Sequence, residues 1–156
     1  MTAVRLRFTT DTRLPVDARL LTPANLGGKT TAELTALHQA LVFAEQEIAA
    51  GSCVQILSDS KYAISCIATW ATGWEKRGWK KSGGDIKNLE LIKAAYALYS
   101  SIKAQVTLTQ VSAHVGTEGN ELADRMAMNA VLNKAAEFRQ YEPPIEVQTI
   151  LRMRAG

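Results

Sequence analysis

Three acidic residues and one histidine stand where this sequence could place chemistry. Glu33 opens a run of apolar residues at helical spacing, Asp59 directly follows the apolar stretch Val54 to Leu57, and Asp124 falls inside a second helical pattern. His114 sits in the glycine-bearing stretch Ala113 to Asn120. Carboxylates drawn from separate elements suit a hard divalent cation such as Mg²⁺, which takes oxygen ligands and needs several of them to converge. An imidazole that titrates near neutrality on a loop suits proton handling at a reacting phosphate. Each residue also has a plainer reading. Thr30-Thr31-Ala32-Glu33 has the form of a capping box, in which Glu33 would return to the Thr30 amide. Asp59 has the type and place of a helix N-cap. Asp124 could be a solvated surface acid, although aspartate is a poor interior helix residue, and a lone loop histidine is most often simply exposed. The chemistry depends on whether the fold brings these groups together.

A second cluster is of another kind. The tryptophans Trp70, Trp74 and Trp79 are interleaved with Lys76, Arg77, Lys80 and Lys81. Trp70 and Trp74 are one helical turn apart and could serve only to pack a helix. Cations beside aromatic surface are also what a nucleic-acid backbone requires of its binding groove. From Trp74 to Lys87 the chain carries five basic and two acidic residues, so the net charge of +3 of the whole chain can be assigned to that one segment.

The elements that must position these residues are legible as patterns. Val4, Leu6 and Phe8 alternate with polar neighbours, and with Ala18 to Leu21 they predict two short strands ended by Pro23 and Gly27-Gly28. Leu34, Leu37, Leu41, Ala44 and Ile48 predict a helix from Thr31 to Ala50, stopped by Gly51. Val54 to Leu57 predicts a fully buried strand. Ser58-Asp59-Ser60 then opens a helix with Ile64, Ile67 and Ala71 inward. A further helix is predicted over Leu89 to Ser101, a strand over Val106 to Val111, and a long helix carrying Leu122, Met126 and Val131. Strands first, then helices interleaved with strands, predict an α/β mixed sheet packed between helices.

The 156 residues, 47% apolar and 21% charged, predict one ordinary globular domain and exclude a disordered, collagen-like or coiled-coil chain. Cys53 and Cys66 lack any CxxC spacing and are expected to be reduced, buried thiols. The sequence has no run of eighteen apolar residues and no signal-peptide pattern, so no membrane segment and a cytoplasmic location are expected.

Taken in order, the pieces resemble the type-one ribonuclease H family. The matching stretches are Thr31-Ala-Glu33-Leu-Thr-Ala-Leu37, Leu57-Ser-Asp59-Ser-Lys-Tyr62, Trp70-Ala-Thr-Gly-Trp74-Glu-Lys-Arg-Gly-Trp79-Lys80, and His114-Val-Gly116 with Glu118-Gly-Asn120-Glu-Leu-Ala-Asp124-Arg. The resemblance covers about residues 3 to 133, leaving 134–156 as a C-terminal tail. It implies a ribonuclease H-like mixed sheet, normally of five strands, flanked by helices on both faces. It also implies an endoribonuclease that hydrolyses the RNA strand of RNA/DNA hybrids, with two Mg²⁺ or Mn²⁺ ions held by four acids. Glu33, Asp59 and Asp124 would be three of those metal ligands, and His114 the histidine that assists proton handling or product release. Trp74, Lys76, Arg77, Trp79, Lys80 and Lys81 would match the basic protrusion that grips the DNA strand of the hybrid.

The departure lies at the start. Family members begin with a central strand bearing an aspartate followed by glycine, and this sequence has no Asp-Gly. Asp11 precedes Glu33 too closely to leave room for two further strands. Val4 to Phe8 and Val16 to Leu21 are therefore expected to be the second and third strands, leaving a gap in the sheet with unpaired backbone groups. The run Ile145 to Met153, or a strand from a second copy or another polypeptide, would fill it, with Glu146 approaching the site. Two other readings follow: a hybrid or double-stranded RNA binding module that has lost catalysis, and one part of a split enzyme.

Overall fold

A computed structural model describes residues 4–9, 19–20, 29–111, 121–122, 125–126, 139–140 and 146–153. Among these, β1 (Val4–Thr9), β3 (Cys53–Ser58) and β4 (Val106–Gln110) form a three-stranded sheet in the order β1-β3-β4. β1 runs antiparallel to β3, with Val4 opposite Ser58 and Thr9 opposite Cys53. β3 and β4 are parallel, from Val54 opposite Val106 to Ser58 opposite Gln110. Two two-residue strands, β2 (Arg19–Leu20) and β5 (Arg139–Gln140), pair antiparallel with each other. The α/β mixed character expected from the sequence is met. Five strands in one sheet are not seen among the described residues.

The helix predicted around Leu34 to Ile48 is α1 (Lys29–Ala49). Its apolar positions Leu34, Leu37, Leu41 and Ala44 are completely buried, because side chains three and four apart share one helical face. The helix ends in a Schellman arrangement: Gly51 N–H donates to Ile48 O at 2.9 Å and Ser52 N–H to Glu47 O at 3.0 Å. Gly51 sits at φ +93°, where a side chain would be strained. α4 (Leu89–Ile102) packs along α1, and Ile92 and Ala95 enter the same core as Val54, Ile56 and Ile67.

Between them lies a helical segment that departs from the expected single helix. α2 (Lys61–Ser65) runs into a π-helical stretch, Cys66–Trp70, and then into α3 (Ala71–Lys76). The Ala71 amide bonds Cys66 O, one residue further back than an α-helix allows. Ile67 and Ala71 are nevertheless buried as the pattern predicted. Beyond β4, Glu121, Leu122, Arg125 and Met126 are helical, with Leu122 and Met126 buried.

Four expectations are corrected. β3 is not buried on both faces: Val54, Ile56 and Ser58 are buried while Cys53 is exposed and Gln55 and Leu57 are half-buried, the alternation of a strand with one core face. Cys53 is thus an exposed thiol, and only Cys66 is buried. The gap expected beside β3 is closed by β1 itself, which supplies an antiparallel partner along the whole strand. The C-terminal run does not extend to fill it. Val147–Leu151 is a short helix, with Ile150 buried and Leu151 O accepting a 2.8 Å bond from Arg125 Nε.

Candidate active site and nucleic-acid interface

α1 begins at Lys29, so Thr30 is already inside the helix and cannot be the cap that a capping box requires. Glu33, one turn in, is 7% exposed. Its Oε2 accepts a 2.6 Å hydrogen bond from Ser60 Oγ. Ser60, not Asp59, is the N-cap of α2: its backbone is extended and its Oγ accepts from the Ala63 amide at 3.1 Å. Ser58 Oγ in turn accepts from the Ser60 amide at 3.2 Å. Asp59 is held between these two serines at the end of β3, half-buried, and its backbone carbonyl accepts from the Lys61 amide. The plain capping roles of Glu33 and Asp59 are thus both displaced, and the Glu33 carboxylate of α1 is bonded to the residue that follows Asp59.

The end of β3 is also where the parallel partner ends, and the Val111 amide donates to Ser58 O at 2.9 Å. Open α/β sheets bind ligands at such carboxyl edges. Asp124 and His114 lie outside the described residues. Among the described residues no three His, Cys, Asp or Glu side chains converge. Glu33 also bears on nearby Tyr62. Its phenol is pushed up to about 12 by burial first, then by its hydrogen bond and electrostatic coupling to Cys66, and by the Glu33 carboxylate.

Sequence reasoning missed two polar residues here. Ser60 was legible only as part of a helix opening. Asn88 precedes α4 in the left-handed region at φ 60°, and its Oδ1 accepts from Thr31 Oγ1 at 3.1 Å. Its Nδ2 is buried and meets no acceptor among the described residues.

The aromatic and basic cluster is built on α3. Trp70 and Trp74 lie 5.8 Å apart between ring centroids, and Tyr62 meets Trp70 edge-on at 6.0 Å. Trp70 is 42% exposed, so this ladder is not merely packing. α3 ends in a second Schellman arrangement, with Gly78 N–H donating to Glu75 O at 3.0 Å and Trp79 N–H to Trp74 O at 2.6 Å. Gly78 and Trp79 have φ of 63° and 60°. For a bulky residue that backbone is strained, and packing holds it there: Trp79 meets Tyr96 edge-on at 5.9 Å and carries Lys93 Nζ 5.9 Å from its ring centroid. Tyr96 Oη donates to Glu75 Oε2 at 3.1 Å, which ties α3 to α4 a second time. The reversed chain brings Trp74, Arg77, Lys80, Lys81 and Ser82 around an open cleft of about 560 Å³. Lys76 is exposed on the same helix end. Three cations and an indole around one cleft, with no acid among its lining residues, form an anion-binding surface with a stacking face.

The RNase H family profile matches residues 21–132. Ribonuclease H of Methylorubrum extorquens (strain PA1) is 36% identical over 95 residues, 61% of this chain and 39% of that protein. Ribonuclease H of Anaeromyxobacter dehalogenans (strain 2CP-C) is 32% identical over 124 residues, 79% of this chain and 61% of that one. Ribonuclease H of Tropheryma whipplei (strain Twist) is 34% identical over 103 residues, 65% and 61% of the two chains. The chain belongs to the RNase H family. The matched stretch spans between 39% and 61% of the length of these relatives.

Proposed function

We propose that this chain is a metal-dependent ribonuclease H that hydrolyses the RNA strand of RNA/DNA hybrids. The observation that carries the reading is the 2.6 Å bond by which Ser60, next to Asp59, holds the buried Glu33 carboxylate. It brings the Glu33 carboxylate of α1 to the residue that follows Asp59 at the end of β3. The donor set is all oxygen, which fits Mg²⁺ or Mn²⁺. Glu33 and Asp59, joined by Asp124, would hold the ions, and such a pair supplies an activated water and charge stabilisation at the leaving oxygen. His114 handles the proton on the reacting group. The buried Nδ2 of Asn88, which meets no acceptor among the described residues, suits a phosphate oxygen, since an unmatched buried donor is costly. The cleft of Arg77, Lys80 and Lys81, with Trp74, Lys76 and Trp79, grips the DNA strand.

In this reading 1–133 is the catalytic domain and 134–156 is an added segment. The protein works in the cytoplasm. No helix among the described residues is long and apolar enough to cross a membrane. The test is cleavage of a hybrid with Mg²⁺ and with Mn²⁺, the parent beside Glu33→Gln. The reading expects cleavage that needs metal, is stronger with Mn²⁺ because the first family acid is not evident, and is lost in Glu33→Gln. A parent that binds hybrid and leaves the RNA intact in either metal would instead mark a binding module.

A further inference from the structure

α3 carries a glycine in its interior at Gly73, although glycine is among the least favourable residues there. Its φ is not positive, so the backbone does not demand it. The reason lies in what faces it. A Cβ built at Gly73 would stand 3.4 Å from Arg77 Nη1, 3.5 Å from Nη2 and 3.8 Å from Cζ. The whole guanidinium therefore lies against the bare turn of α3, four residues back along the same face. A methyl group there would just touch it, and any longer side chain would compete for the space.

Arg77 is exposed yet lines the cleft with Trp74, Lys80, Lys81 and Ser82. An exposed arginine ordinarily samples many rotamers and gives up that freedom on binding. Seated on Gly73, its planar fork is already turned along the cleft before a ligand arrives. The neighbouring lysines are point charges on flexible stems, without the fork that matches two phosphate oxygens at once.

We propose that Gly73 is a positioning residue for nucleic-acid binding, its missing side chain forming the seat that holds the Arg77 guanidinium over the cleft to receive a backbone phosphate. This deepens the ribonuclease H reading and rests on it.

The experiment measures binding of a short fluorescent RNA/DNA hybrid by anisotropy in EDTA over a series of salt concentrations. The proteins are the parent, Gly73→Ala, Gly73→Leu, Gly73→Gln, Arg77→Ala and the double variant Gly73→Leu/Arg77→Ala. Losses graded by side-chain size are expected, small for alanine and about fivefold for leucine and glutamine, as for one charge-assisted contact. Gly73→Leu should also flatten the salt dependence by about one phosphate contact. In the Arg77→Ala background it should cost nothing more. Its melting temperature should be no lower than the parent's, since leucine favours helix over glycine, so lost affinity would not be lost fold. Glutamine makes the same test without added apolar surface. Parental affinity in both Gly73→Leu and Gly73→Gln, or an equal loss with and without Arg77, would overturn the inference while leaving the ribonuclease H reading intact. A parent with no salt-dependent affinity for hybrid would overturn both.

Discussion

Ser60 Oγ both caps α2 and holds Glu33, so one hydroxyl couples the start of a helix to the placement of an acid. Ser60→Ala removes the cap and leaves a buried carboxylate short of a donor. A loss of about 2 kcal/mol is expected from those two effects, measured by denaturant unfolding. Hybrid cleavage should fall about tenfold, as when a group orienting a metal ligand is removed, and Ser60→Thr should recover most of both. His38, on α1, has its pKa pushed below the ordinary 6.5 by burial alone. The fold thus favours the neutral ring. The unfolded chain takes up the proton first, so stability is full above pH 6.5 and falls as pH drops from there through the lower folded value. His38→Gln should flatten that part of the pH–stability curve, followed by thermal melts between neutral and mildly acidic pH. Of these residues only the acids were visible in the sequence. Ser58, Asp59 and Ser60 are all good caps by type, and only the observed start of α2 shows that the serine takes the role and the aspartate does not.

At the scale of elements, α1 and α4 were legible because long amphipathic repeats bury one face whatever the tertiary detail. The π-helical stretch was not, since the inward residues Ile67 and Ala71 are four apart either way and the extra residue leaves no mark on the pattern. The alternation of β3 was hidden by its apolar composition, because Leu57 looks like core but is only half-buried. The turn after α3 was legible as a break at Gly78, but the left-handed Trp79 was not, being paid for by packing on Tyr96 rather than by local preference. Trp79→Gly sets the two against each other. Relief of the strained backbone returns about 1–2 kcal/mol, and loss of a packed indole costs about 3–5 kcal/mol. A net destabilisation of about 2 kcal/mol is expected by chemical unfolding, with weaker, less salt-dependent hybrid binding as Lys80 and Lys81 lose their fixed approach.

Over the whole molecule, the sheet and the charge answer to different parts of the sequence. The central strand expected to be missing leaves no gap beside β3, because β1 pairs with it directly and in the antiparallel sense. What failed was the expected gap and not the missing strand: a short alternating strand carries no label for the neighbour it will choose. Of the positive charge assigned to the segment from Trp74 to Lys87, Arg77, Lys80 and Lys81 stand around one cleft together with Trp74. The proposed function needs the acids Glu33 and Asp59 and the cations beyond α3 to work on one duplex. The most direct measurement is cleavage of RNA/DNA hybrid, single-stranded RNA and double-stranded RNA by the parent and by Asp59→Asn, with and without divalent metal. The expected result is metal-dependent cutting of the hybrid's RNA strand alone, reduced at least about a hundredfold in Asp59→Asn, as for loss of a metal ligand. Equal cleavage of the hybrid by the parent and Asp59→Asn would contradict it.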